Sequence, residues 1–262
     1  MSVRRPVRSP DRPRILEVRR TPSISSSSRC APRPVTEPRR SPLALLGRFV
    51  PGVRAVTEQI PRFAAAWAEE TERALGAPGP LLAVLGDSTA QGIGAGSHLT
   101  GWAGQLRERL AVHHGTEWGV ANWSRSGARV ADVVAEQLPA LRGAGRRPDL
   151  VVCAVGANDV FWGLTTGAAR RAFAELLPGL PAPAVVATVP EGGVAGRARR
   201  LNAELRGLAA AHGVAVAEVA RTIRPGRGTL ASDGFHPSTR GYADWTAAFA
   251  AALALPDPEV RG

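Results

Sequence analysis

The chain has 262 residues, 44% hydrophobic and 21% charged, which is ample apolar material for a large buried core. Its formal net charge is +11, but residues 1–42 hold eleven Arg against Asp11, Glu17 and Glu37, so the rest of the chain is nearly balanced. That argues against a nucleic-acid-binding fold, which needs a basic face on its body; every basic residue is Arg, and a GC-rich coding sequence accounts for the excess.

Residues 1–42 mix Pro, Ser and Arg with no apolar period, and such a segment cannot bury enough surface to offset its ordering entropy. Disorder is expected there. Leu43 to Val50 is too short, too interrupted by Gly47 and Arg48, and too far along the chain to serve as a signal core. A cytoplasmic location is therefore expected over an exported one. No stretch reaches the ~18 apolar residues that span a bilayer.

Residues 43–80 read as a helical arm. Leu46, Phe49, Val50, Val53, Val56 and Ile60 recur at helical spacing, broken by Pro51. Pro61 then opens a second helix with Phe63 and Trp67 four apart on one face. An arm packed on the body is favoured over membrane-surface contact through residues 43–76. The run from Gly76 to Pro80 separates the arm from the body of the chain.

From residue 81 to residue 256 strands and helices alternate. Short apolar runs at 81–86, 118–123, 149–155, 183–189 and 213–218 read as strands. Helical patterns fall near 101–112, 129–141, 166–177, 195–211 and 238–254. Five such β-α units predict a parallel sheet covered by helices on both faces. Cys153 falls inside the third strand and reads as a small core hydrophobe; Cys30 lies in the tail, so no bridge joins them.

Gly86-Asp87-Ser88 ends the first strand, at the carboxyl edge where open α/β sheets place their chemistry. A serine hydroxyl needs a neighbouring base before it can act as a nucleophile. Of five histidines, His236 stands out: it lies in a loop three residues after Asp233, before Pro237 and a helix-capping Ser238. A tight turn can bring the Asp233 carboxylate to Nδ1 of His236 and leave Nε2 for Ser88. Acyl transfer also needs donors aimed at an oxyanion. The Ser88 N–H, the Gly127 N–H after the second strand and the Asn158 amide after the third are the candidates. Asp159 is expected to brace its loop. No Gly-x-Ser-x-Gly elbow, phosphate loop or metal-spaced cluster competes.

Ser88, Gly127, Asn158 and His236, each in a matching motif and in order, resemble the SGNH hydrolases, the GDSL-type esterases and lipases. The resemblance covers about residues 81–250. It implies a three-layer α/β/α flavodoxin-like fold with strand order 2-1-3-4-5, no cofactor or metal, and a two-step acyl-enzyme mechanism on a small-molecule ester. Here the first block reads Gly-Asp-Ser-Thr rather than Gly-Asp-Ser-Leu. The resemblance leaves the substrate open among carboxylic esters, carbohydrate acetyl esters, thioesters and lysophospholipids; a silent binding protein on the same fold is the remaining alternative. Trp123, Phe161, Trp162 and His98 are candidate pocket-lining residues, and a monomer is expected.

Overall fold

The computed structural model describes residues 51–163, 166–224 and 226–256; the Arg-rich tail and residues 43–50 of the arm lie outside them. Five parallel strands form the sheet: β1 (Leu81–Gly86), β2 (Gly119–Asn122), β3 (Leu150–Ala154), β4 (Ala184–Ala187) and β5 (Ala215–Ala217), in the order β2-β1-β3-β4-β5. The register pairs Ala83 of β1 with Ala121 of β2 on one side and Val151 of β3 on the other. All six residues of β1 and all five of β3 are buried, as continuous apolar strands covered on both faces must be.

Side-chain alternation along the strands divides the core in two. Leu81, Ala83, Leu85, Val151, Cys153 and Val186 face one layer, where α7 (Gly167–Gly179) contributes Phe173 and Leu176 and α8 (Ala195–Ala211) contributes Leu201 and Leu205. Leu82, Val84, Leu150, Val152 and Val185 face the other, against α3 (Trp102–His114) and α10 (Thr239–Ala252). There the rings of Trp102 and Phe249 stack at 4.3 Å between centroids. Cys153 is a buried free thiol, and burial pushes its ionisation up.

The segment after β2 departs from a plain helix. α4 (Val130–Asp132) passes through a π-helical stretch, Val133–Gln137, into α5 (Leu138–Gly143). Such wide turns tend to sit at functional sites, and this one aims Gln137 at the end of β1. Its side-chain amide donates to the Gly86 carbonyl and accepts from the Gly86 N–H, both at 2.8 Å.

The described part of the arm is helical: α1 (Pro51–Thr57) and α2 (Gln59–Gly76). Phe63, Trp67 and Ala74 of α2 are buried, which for the two aromatic rings is worth about 2–3 kcal/mol each. Trp67 packs with the β1 and α3 layer, while Val56 and Phe63 pack with Ile93. α6 (Ala157–Trp162) follows β3, and α9 (Val219–Thr222) follows β5. Among the described residues no helix is long and apolar enough to cross a membrane.

Candidate active site

The segments that follow β1 and β3 meet the stretch from Thr229 to Ser238, and the loop after β2 is tied to the β1 loop. β1 is too short to carry the chain past Gly86, so Asp87, Ser88 and Thr89 turn at the sheet edge. Asp87 Oδ1 accepts from the Thr89 N–H at 2.9 Å and from the Thr89 hydroxyl at 2.8 Å, which fixes the turn around Ser88. The Asp87 carboxyl is buried, and burial pushes its pKa up from 3.8 to about 6 against the pull of the Thr89 bonds and His236.

Ser88 and His236 are 148 positions apart in sequence, yet the Ser88 Oγ lies 3.0 Å from His236 Nε2. His236 Nδ1 lies 2.6 Å from Asp233 Oδ2, while Asp233 Oδ1 accepts from the backbone N–H groups of Phe235 and His236, each at 3.0 Å. One carboxylate thus folds its own loop and orients the ring. Burial alone would raise the Asp233 pKa, but the bonds from the imidazole and the two backbone donors outweigh it and hold the carboxyl below its ordinary range. When the Nδ1–H donates its hydrogen bond to the ionised Asp233, Nε2 of the neutral ring carries the lone pair that faces the Ser88 hydroxyl.

Gly127 sits at φ +78°, a left-handed turn that side chains other than glycine resist. Ser126 beside it donates its N–H to Gln91 Oε1 at 2.8 Å, which ties this turn to the loop of Ser88. Asn158 Nδ2 donates one proton to the Ala128 carbonyl at 3.0 Å, leaving the second amide proton for another acceptor. Asp159 Oδ2 accepts from the Val130 N–H at 3.1 Å, so Asp159 braces the start of α4. Asn158 and Asp159 therefore hold the Gly127 turn from the β3 side. Among the described residues the N–H groups of Ser88 and Gly127 make no hydrogen bond.

The four aromatic candidates separate. Phe161 meets Phe235 edge-on at 5.3 Å, and Phe235 meets the His236 ring at 5.0 Å, so apolar surface adjoins the imidazole. Trp162 is exposed. Trp123 is buried in the core layer with Leu85 and Val155, so of the two readings open for it, cleft or core, the packing favours the core. The pocket reading of His98 is corrected. Its ring stands against Trp67 at 4.9 Å and Phe63 at 6.1 Å, with Glu70 at 4.0 Å, so it belongs to the contact between the arm and the loops.

Gln137, Gln91 and Asn122, which lie in no recognisable motif, build the loop scaffold with their side chains. Asn122 donates to the Ala90 carbonyl at 2.9 Å and accepts from the Ser124 N–H at 2.9 Å. No local signal marks such residues, because their partners lie far away in sequence. Among the described residues no cluster of His, Cys, Asp or Glu is arranged to hold a metal ion.

Residues 84–243 match the GDSL-like Lipase/Acylhydrolase family. Among solved structures, the chain is similar to TesA, at 25% identity and a TM-score of 0.57 over 66% of this chain and 97% of that one. LAE5, an alpha/beta hydrolase enzyme from the metagenome of Lake Arreo, Spain, is 24% identical with a TM-score of 0.55 over 70% of this chain and 99% of its own. The acetylxylan esterase Axe2 from Geobacillus stearothermophilus shares the fold at 16% identity, with a TM-score of 0.54 over 70% of this chain and 97% of its own. No curated protein matches the sequence.

Proposed function

The chain belongs to the GDSL-like lipase/acylhydrolase family, and on that premise we propose that it is a serine hydrolase of carboxylic esters working through an acyl-enzyme. The observation that carries this reading is the Ser88–His236–Asp233 relay, with contacts of 3.0 and 2.6 Å. His236 Nε2 takes the Ser88 proton as Oγ attacks the ester carbonyl, and the Asp233 carboxylate stabilises the imidazolium that forms. The C=O π bond opens to a tetrahedral oxyanion, which the N–H groups of Ser88 and Gly127 and the second Asn158 amide proton are suited to receive. The imidazolium protonates the leaving alcohol, and collapse of the tetrahedral centre leaves an ester on Ser88. Water, deprotonated by the same imidazole, then releases the acid and regenerates the hydroxyl.

Phe161 and Phe235 beside His236 favour an apolar acyl or alcohol group over a sugar, because burying hydrated hydroxyls against two rings is costly without partners. The test is covalent labelling with a fluorophosphonate, followed by a panel of esters from acetyl to palmitoyl with a thioester and an acetylated sugar. Label on Ser88 that Ser88→Ala abolishes is expected, with turnover favouring acyl esters over the acetylated sugar. A protein that takes no label and turns over no ester would be a binding protein on this fold.

A further inference from the structure

The family match begins at Val84, so α1 and α2 lie outside it. Yet these two helices reach the loops that carry Ser88, Gly127 and His236. Gln59 of α2 accepts from the Gly94 N–H at 2.8 Å and donates to the Ala95 carbonyl at 3.1 Å, gripping the end of the Ser88 loop. Gly94 is in turn pressed on the histidine loop: a methyl group there would sit 2.9 Å from His236 Cβ and 3.0 Å from Ala231 Cβ. Trp67 donates its indole N–H to the Gln91 carbonyl at 3.0 Å, and the Gln91 side chain holds the Ser126 N–H beside Gly127. Thr71 accepts from the Asn122 N–H at 2.9 Å, just before that turn. Ser232, next to Asp233, donates to the Gly52 carbonyl of α1 at 3.1 Å. Finally, Val56 and Phe63 pack on Ile93 and Ala231, and the Ala231 N–H donates to the His236 carbonyl at 2.8 Å.

From these contacts we infer that the N-terminal helices are a clamp that sets the mutual position of Ser88, Gly127 and His236, with Gln59 and Trp67 as its positioning residues. The inference rests on the serine-hydrolase reading for its effect on turnover, but not for its effect on geometry. Gln59 is well suited to the role. Its two bonds both end on backbone, at Gly94 and Ala95, and Gly94 abuts His236. Removing them frees the Ser88 loop to slide against the histidine loop, and an ångström of misplacement in a reacting pair is enough to cost turnover heavily. The clamp has a second anchorage that is remote from the site. The Arg146 guanidinium donates to the carbonyls of Ala74, Ala77 and Gly79 at the carboxyl end of α2, on the opposite edge of the sheet. Loosening that end weakens the attachment of α2 without touching the loops.

The experiment compares Gln59→Leu, Gln59→Glu and Arg146→Ala in the full chain, each scored by melting temperature, kcat and KM on a small soluble ester, the rate of fluorophosphonate labelling, and the proton resonance of the His236 Nδ1–H. Gln59→Leu is expected to lower kcat and the labelling rate about tenfold, with KM within roughly twofold of wild type, and to shift or broaden the resonance. Gln59→Glu, which keeps the acceptor for Gly94, is expected to recover part of the loss. Arg146→Ala is expected to lower the melting temperature yet leave kcat per folded molecule and the resonance unchanged. The inference is overturned if Gln59→Leu leaves all three readouts at wild-type values, or if they fall only with the folded fraction, as in a purely structural variant. Should the wild-type protein take no label, the hydrolase reading fails, and the His236 resonance still decides whether the arm positions the loop.

Discussion

Asp87 is the buried acid directly before the proposed nucleophile, and replacing it by Asn isolates the cost of its charge. The side-chain shape is kept, and Oδ1 of the amide can still accept from the N–H and hydroxyl of Thr89. In the folded protein the carboxyl titrates near 6 rather than 3.8, mainly because it is buried. The folded state therefore holds a proton between roughly pH 4 and 6 that the unfolded chain has released. Stability from this group is present in full below about pH 4, declines as pH rises through that window, and is flat above it. A shift of roughly two units at 1.36 kcal/mol each makes the ionised carboxylate a burden of about 3 kcal/mol above pH 6. The amide brings its own cost: a buried NH₂ that lacks an acceptor takes back about 1–2 kcal/mol. The net gain at pH 8 is then on the order of 2–8 °C in melting temperature. The pH dependence is the sharper readout, since the cost of the amide does not titrate. Melting curves of both proteins from pH 4 to 8 should show the variant gaining on wild type up to about pH 6 and holding the gain beyond it. A difference that stays constant across that range would refute the reasoning.

Ser88→Ala and His236→Ala are each expected to abolish ester turnover, and the double variant should be little worse than either, because residues acting as one unit are strongly non-additive; multiplying losses in a steady-state assay would show that they share no step. Asn158→Ala is expected to lower kcat by roughly 10²–10³ with KM nearly unchanged, since an oxyanion donor acts on charge that exists only in the transition state. A folded variant that acylates at the wild-type rate in single turnover would remove Asn158 from that role. Gly127→Ala meets open space, so its cost is backbone strain alone at φ +78°, on the order of 1–2 kcal/mol by thermal melting. A variant with unchanged stability would mean that the turn relaxes.

The five-stranded parallel sheet was legible in the sequence. Period and punctuation suffice for strands such as Leu81–Gly86, which are buried on both faces and bounded by Pro and Gly, and for helices such as Ala195–Ala211. Family, and with it the strand order, was legible because the blocks of Ser88, Gly127, Asn158 and His236 occur together and in order, although each one alone reads as an ordinary turn. Whatever depends on a partner distant in the chain was not legible. Gln137 reaches Gly86 across 51 positions, Gln91 reaches Ser126 across 35, and Gln59 reaches Gly94 across 35. An amide side chain carries no sign of which backbone group it will pair with. Trp123 and His98 show the same limit for rings: an aromatic residue near a site loop in sequence faces the cleft, the core or the arm according to the packing of helices that its own neighbours do not encode. The candidate residues are marked by short local blocks, while their relative placement comes from long-range packing and hydrogen bonds.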